Sequence, residues 1–324
     1  VHANDERRAS WSQYWASGAL HSCAGSFDGN YDDAIAHFWR QVFESVQASD
    51  RVLDIATGNG ALPQLLLEMR REMTQMPHID AVDLAQIDPP WARSLAPEVS
   101  ARLHFHSAIA AEKLPFADCS FDLVVSQYGL EYSDLSQSVV ELLRVSKAQA
   151  RLALIVHHAD SLPVRLGRAE LLEIDWLSQS GGLLQRTRRL LPFLARLNTP
   201  AGMASVQRDP SAAKARSQYN DSMRELQLRS ASSGAPDILL ETQAALGALT
   251  ANAATIGLAP AEARLTAMRE SLRMARLRQA ELVGHALDAQ AVDALAARLA
   301  PLGVIEVAQI RVQSELFGWS LRTQ

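Results

Sequence analysis

The chain predicts an α/β protein: a doubly wound, seven-stranded, mostly parallel sheet with a large helical insertion before a C-terminal antiparallel hairpin. Three observations carry this. Short apolar segments alternate with helical patterns up to residue 158, a strand-free stretch rich in Leu, Ala, Arg and Gln follows, and two strand-like segments close the chain. Only "QS" separates those last two, and so short a link joins antiparallel neighbours.

The elements follow in order. Ile35, Phe38, Trp39, Val42, Phe43 and Val46 recur at helical spacing over 32–46. A buried strand follows at 52–56, and further strands are expected at 79–84, 103–106, 121–126 and 152–156. The helical pattern "QSVVELLRVSKAQ" lies between the last two. Residues 161–278 read as all-helical, punctuated at 180–182, 199–202 and 230–236. An amphipathic helix capped near Asp288 ends at Pro301 and Gly303, and strands 304–312 and 315–321 complete the sheet. The expected domains are an aromatic-rich cover over 1–40, a core over 41–160 and 285–324, and a helical insertion over 161–284.

Composition excludes several classes. The 324 residues are 48% hydrophobic with a formal charge of −5, which rules out a disordered or collagenous chain and gives no long-range attraction to nucleic acid. No apolar run approaches the roughly 18 residues of a membrane span, and the charged start is unlike a signal peptide. The chain is therefore expected in the cytoplasm. Cys23 and Cys119 have no metal-ligand spacing and are expected as buried thiols, so no metal site is predicted.

The stretch "VLDIATGNGAL" (52–62) carries the functional signal, because a strand that breaks into a glycine turn is where open α/β sheets bind ligands. A dinucleotide fingerprint needs a third glycine where Pro63 stands, and no Gly-Lys-Ser/Thr follows for a phosphate loop. What fits is an adenosine-like ligand without phosphates. Asp54 lies inside the strand, and Asp83 ends the next one, where a carboxylate accepts hydrogen bonds from a ribose diol.

"VLDIATGNG", the acidic end of "IDAVDL" and "AEKLPFADCSFDLVVS" together resemble the class I S-adenosylmethionine-dependent methyltransferases over residues 50–158. The ordered trio is a specific signal. The resemblance implies S-adenosylmethionine as cofactor, with Asp54, Ala56, Thr57, Gly58, Asn59 and Gly60 around its methionine part and Asp83 with Leu84 at its ribose. Ser107, Ala108, Ser126 and Gln127 complete the expected cofactor contacts. A sulfonium cofactor is cationic and gains from nearby carboxylates. Two positions depart from the family. Ala56 replaces its usual first glycine, which is expected to be harmless because the position can lie in the strand. Ala110 replaces the Asp that contacts adenine, leaving Ser107, Glu112 or a backbone carbonyl for that role.

Methyl transfer is an in-line displacement, so the protein aligns the acceptor, excludes water and, for some acceptors, removes a proton. Ser126, Gln127, Tyr128, Glu131, His157 and His158 project from strand ends toward the same region. Among them His157 and His158 are the neutral-range bases, and with Tyr128 and Tyr31 they are the candidate catalytic residues. Strand capping and core packing explain the same residues without catalysis. Trp11, Tyr14, Trp15, His21, Phe27, Tyr31 and Trp39 form a dense aromatic segment that suits a cover over the cofactor, with Tyr31 and His21 nearest the methyl group; packing on the sheet edge is the plainer reading. Arg186, Arg188 and Arg189 are read as a solvated face or oligomer contact ahead of an anion site. The expected activity is methylation of O, N or C on a small-molecule acceptor, with no nucleic-acid partner, and the insertion offers a surface for a homodimer. The alternative is a non-catalytic cofactor-binding or regulatory protein that docks a partner through the insertion. Aminopropyl transfer and RNA methylation fit less well.

Overall fold

The computed structural model describes residues 2–22, 29–70 and 75–324. Helices α1 (His2–Trp15) and α2 (Ala34–Glu44) precede β1 (Arg51–Ile55), followed by α3 (Ala61–Arg70), β2 (His78–Val82), the short α4 (Pro97–Ser100), β3 (Leu103–His106), β4 (Phe121–Gln127), α5 (Leu135–Val145) and β5 (Ser146–Val156). After α6 (Leu162–Ser178), α7 (Leu183–Leu194), α8 (Pro200–Gln207), α9 (Pro210–Ser230), α10 (Pro236–Ile256) and α11 (Leu258–His285) come α12 (Ala289–Leu299), β6 (Ile305–Val312) and β7 (Glu315–Thr323). The seven strands lie in the order β3-β2-β1-β4-β5-β7-β6. Strands β1 to β5 are parallel, and β7 runs antiparallel to both of its neighbours.

Alternation along each buried strand sends side chains to two cores, as a sheet covered on both faces requires. Val52, Leu123, Val125 and Ile155 meet Ile35 and Trp39 of α2 and Leu62 and Leu66 of α3 on one face. Leu53, Ile55, Val124 and Leu154 meet Leu142 of α5 and Leu295 of α12 on the other. The terminal hairpin turns on Gln313 and Ser314, both with positive φ (49° and 73°), as a two-residue hairpin turn requires.

Three expectations are corrected. The helical pattern around "SKAQ" stops at Val145, because Ser146 is extended and returns its hydroxyl to the Leu142 carbonyl (2.7 Å). Lys147 then pairs with Asp122 of β4 at 2.7 Å as part of β5. Cys119 is exposed, not buried; it sits at positive φ (52°) in the tight turn before β4. Ala56 lies beyond β1 and not within it, at φ 59°. Cys23 and Phe27 lie outside the described residues.

The chain divides into two compact units, residues 1–164 with 281–324, and residues 165–280. The second is helical around Ile174, Leu184, Leu191, Leu226, Leu246 and Leu265. Pro200, Pro210 and Pro236 open α8, α9 and α10, the helix position where a missing N–H costs nothing. Gly257, at φ 81°, separates α10 from α11. None of the described helices is long and apolar enough to cross a membrane.

Candidate active site

Strand order reverses between β1 and β4, so the loops leaving their carboxyl ends diverge and open a crevice. The cleft there encloses about 1000 Å³ of space between atoms, part of it open to solvent. All of its lining comes from the first unit.

Two buried acids set its electrostatics. Asp54, the next-to-last residue of β1, is 2% exposed, and neither carboxylate oxygen has a hydrogen-bond partner among the described residues. Burial raises its carboxyl to about 8; the nearby Thr57 hydroxyl opposes the rise and Asp83 adds to it. Asp83 is better served, with Oδ1 accepting the Ala85 N–H (2.7 Å) and Oδ2 the Gly58 N–H (2.8 Å). Burial still raises it to about 6, against those two donors. Positive charge brought into this cleft would favour the ionised form of both.

The glycine turn shapes the site from behind. Gly58 and Gly60 have positive φ (56° and 79°), and a Cβ on them would lie 2.5 Å from the Trp15 ring and 2.8 Å from Phe105. Neither glycine lines the cleft, and neither does Asn59, whose Nδ2 donates to the carbonyls of Trp15 (2.9 Å) and Ala19 (2.7 Å). Ala56 and Thr57 do line it. The left-handed Ala56 carries the steric cost glycine avoids, about 1–2 kcal/mol. Its methyl is accommodated because residue 129 is glycine, where a Cβ would fall 2.3 Å from it.

The other expected positions separate clearly. Leu84, Gln127, Tyr128, Tyr31 and His21 line the cleft, as does Ala110. Ser107 and Ala108 do not. The Ser107 hydroxyl bonds both the Ile87 carbonyl (3.2 Å) and its N–H (3.1 Å), and Ala108 N–H donates to the Ala85 carbonyl, so both brace the loop after β2. Ser126 donates to the Ile55 carbonyl (2.7 Å) and ties β4 to β1. Glu112 lines the cleft while one of its oxygens accepts the Asp134 N–H (2.8 Å).

His157 and His158 do not line the cleft either. Returning from the insertion, the chain donates the Leu287 N–H to the His157 carbonyl (2.8 Å) and bridges to His158, which buries both rings. His157 Nδ1 lies 2.7 Å from Glu131 Oε1, and its ring packs 4.2 Å from Tyr128. His158 stacks on Trp319 at 4.3 Å and accepts the Asp160 N–H at 2.9 Å. His21 instead lies within the lining, stacked on Tyr31 at 4.5 Å, with Nε2 donating to the Gly29 carbonyl (3.1 Å). Burial lowers its pKa.

Helix α1 borders the cleft with Trp11 and Trp15, stacked at 5.7 Å. It is pinned by Arg7, which sequence reasoning missed: its guanidinium holds Glu281 (2.7 Å), the Tyr132 carbonyl (2.5 Å) and His285 Nε2 (3.1 Å). Partners so far along the chain leave no local sequence signal.

Residues 53–154 match the family model of the methyltransferase domain. The chain is 31% identical over 120 residues to the uncharacterised methyltransferase YcgJ of Bacillus subtilis, covering 36% of this chain and 45% of that one. It is 29% identical over 123 residues to the demethylmenaquinone methyltransferase of Chlorobaculum parvum, covering 35% and 46%. The chain thus spans less than half the length of these curated relatives. Among solved structures, YcgJ of Bacillus subtilis aligns at 26% identity over 41% of this chain and 58% of that one, with a TM-score of 0.30.

Proposed function

We propose that this chain, a member of the class I S-adenosylmethionine-dependent methyltransferase family through residues 53–154, transfers a methyl group from S-adenosylmethionine to a small-molecule acceptor. The observation that carries the cofactor reading is Asp54: a buried carboxylate with both oxygens unpartnered, facing a cleft beside a second raised acid. A buried charge in that state is costly until a cation or donor reaches it, and a cationic sulfonium with an ammonium group answers that need. The residues present therefore fit the cofactor. Asp54, Asp83, Leu84 and the Ala56–Thr57 backbone would hold it, with Ala110 and its apolar neighbours along the flat base. When bound, it supplies an activated methyl group as electrophile.

The chain's own tasks are binding, alignment and exclusion of water. Asp83 is preoriented by two backbone N–H groups, so it meets a ribose diol without reorganising. Trp15 of α1 packs over Gly58 of the glycine turn, and with Trp11 it lines the cleft and limits solvent access. Within the lining, His21 is an imidazole whose charged form burial disfavours and the group suited to take an acceptor proton, while Tyr31 fixes its ring by stacking. Calorimetric titration with S-adenosylhomocysteine tests the reading. Micromolar binding by the wild type and its loss in Asp54→Ala are expected, and no binding by the pure wild-type chain overturns it. A second reading, a binding protein without turnover, is favoured by the withdrawal of His157 and His158 from the cleft; it predicts the same titration but no methyl transfer to any acceptor.

A further inference from the structure

The side chain of Gln127, at the end of β4, has an orientation that its surroundings decide. Its Oε1 accepts the indole N–H of Trp39, a fully buried ring on α2. An indole nitrogen only donates, so the amide oxygen must face Trp39 and the NH₂ must face the other way. That Nε2 is buried with no hydrogen-bond partner among the described residues, and Gln127 lines the cleft. A fixed, unanswered donor thus lies buried in a residue of the cleft wall.

The same cleft wall carries several aromatic side chains. Trp11, Trp15, Tyr31, Tyr128 and Tyr132 share the same lining, and the rings are held. Trp11 meets Trp15 at 5.7 Å and Tyr132 edge-on at 6.0 Å, and Tyr128 is backed by His157. Helix α1 is fixed on both sides, by Arg7 to the Tyr132 carbonyl and Glu281, and by Ser12 Oγ to the Gln86 N–H (2.9 Å). Rings already in place lose little entropy on binding and favour a ligand with a flat π face.

Resting on the methyltransferase reading, we propose that the acceptor is a planar aromatic compound bearing an oxygen substituent, and that Gln127 Nε2 donates to that oxygen. An uncharged amide suits a phenolic or carbonyl oxygen. The cofactor's own carboxylate is a poorer match, since anions are held best by charged donors and the nearby Asp54 and Asp83 oppose a third negative group. Gln127 is then the specificity-determining residue: a ring without the oxygen leaves its N–H groups unsatisfied, the mismatch on which sites discriminate most strongly.

The test uses the full chain saturated with S-adenosylhomocysteine, titrated with naphthol and with naphthalene by tryptophan fluorescence. Naphthol should bind at least tenfold more tightly than naphthalene. Gln127→Glu keeps an oxygen for Trp39 but removes the donor, and should cancel that preference while leaving naphthalene unchanged. Gln127→Leu should also abolish the preference, and its melting profile reports any loss of folding. Equal affinity of the wild type for the two probes, or binding of neither, overturns the proposal. A tenfold loss of S-adenosylhomocysteine affinity in Gln127→Glu also overturns it, by giving the amide to the cofactor. If S-adenosylhomocysteine fails to bind the wild type, the methyltransferase reading itself falls and takes this proposal with it.

Discussion

Each unit of the molecule buries carboxylates, and Glu173 of one and Asp54 of the other are treated in opposite ways. In the helical unit, Glu173 is 6% exposed and both oxygens are answered: Arg229 Nε donates to one and the Ser233 hydroxyl to the other at 2.9 Å. The Arg229 guanidinium also lies over the Trp176 ring at 5.2 Å. In the α/β unit, Asp54 is buried more deeply and has neither oxygen answered among the described residues. A buried charge with partners is explained by the fold that holds it, whereas one without partners marks a place where the fold is incomplete until something binds.

The comparison breaks most visibly at Asp54. In Asp54→Asn the cofactor's cationic groups lose their buried counter-charge, and S-adenosylmethionine affinity should fall at least about a hundredfold, in the range for removing one member of a buried charge pair. Stability should move the other way. The carboxyl titrates near 3.8 when unfolded and near 8 when folded, so between those values the native state holds more protons than the unfolded state and loses stability as pH rises. The thermal midpoint of the ligand-free wild type should therefore fall from pH 5 to pH 8, and Asp54→Asn should flatten that slope. Cofactor affinity should rise over the same interval, because a cation binds the ionised acids. A slope unaffected by the substitution would mean that Asp54 does not carry the unpaired charge.

Glu173→Gln gives the reverse pattern. Removing the carboxylate strands Arg229, which is partly exposed, so the cost is discounted to about 1–3 kcal/mol from the larger values of fully buried pairs. Denaturant midpoints should record it, while cofactor affinity stays within twofold. A variant that lost binding and kept its stability would erase the distinction between the units.

That distinction also decides what could be read from the chain alone. The strands and the hairpin were legible because apolar runs, helical spacing and a two-residue turn are local signals, and the acids at positions 54 and 83 were visible as residue types near strand ends. The surroundings of the histidines at 157 and 158 were not legible. Their residue type and strand-end position suggested a base, but Leu287, distant in sequence, bridges to that strand end and buries them. Arg7 was invisible for the same reason, since it acts on Glu281 and His285. The orientation of Gln127 depends on Trp39, on another element. Residue types name the chemistry, while contacts across the chain decide which of them reach the cleft.

A smaller effect is expected at the glycine turn. Ala56→Gly replaces a left-handed alanine with a residue that adopts φ 59° freely. The relief, about 1 kcal/mol, is partly offset by the greater freedom of glycine in the unfolded chain. The converse change, Gly129→Ala, drives a methyl to 2.3 Å from Ala56 and should distort the turn. Unfolding midpoints should rise slightly in the first variant and fall in the second. The double variant should recover part of the loss, because the collision requires both methyls, and an additive double variant would deny that the two positions share one contact.

The smallest effect is expected where charge is most plentiful. Residues 165–280 hold sixteen Arg and Lys against ten Asp and Glu, and the remainder of the chain holds fifteen against twenty-six, so a basic surplus in the helical unit invites a binding role. Its individual members argue otherwise. Arg186 is occupied by the Gly181 carbonyl (3.0 Å) and Ser222 Oγ (2.6 Å), while Arg188 and Arg189 are exposed on α7. Exposed charges in water interact weakly and are screened by salt. The double change Arg188→Ala with Arg189→Ala should therefore shift the thermal midpoint by less than about 2 °C and leave S-adenosylhomocysteine affinity within twofold. A tenfold loss of affinity in that variant would show that charge far from the cleft in sequence governs binding, and the contrast between an unanswered buried acid and a well-solvated surface would no longer separate site from scaffold.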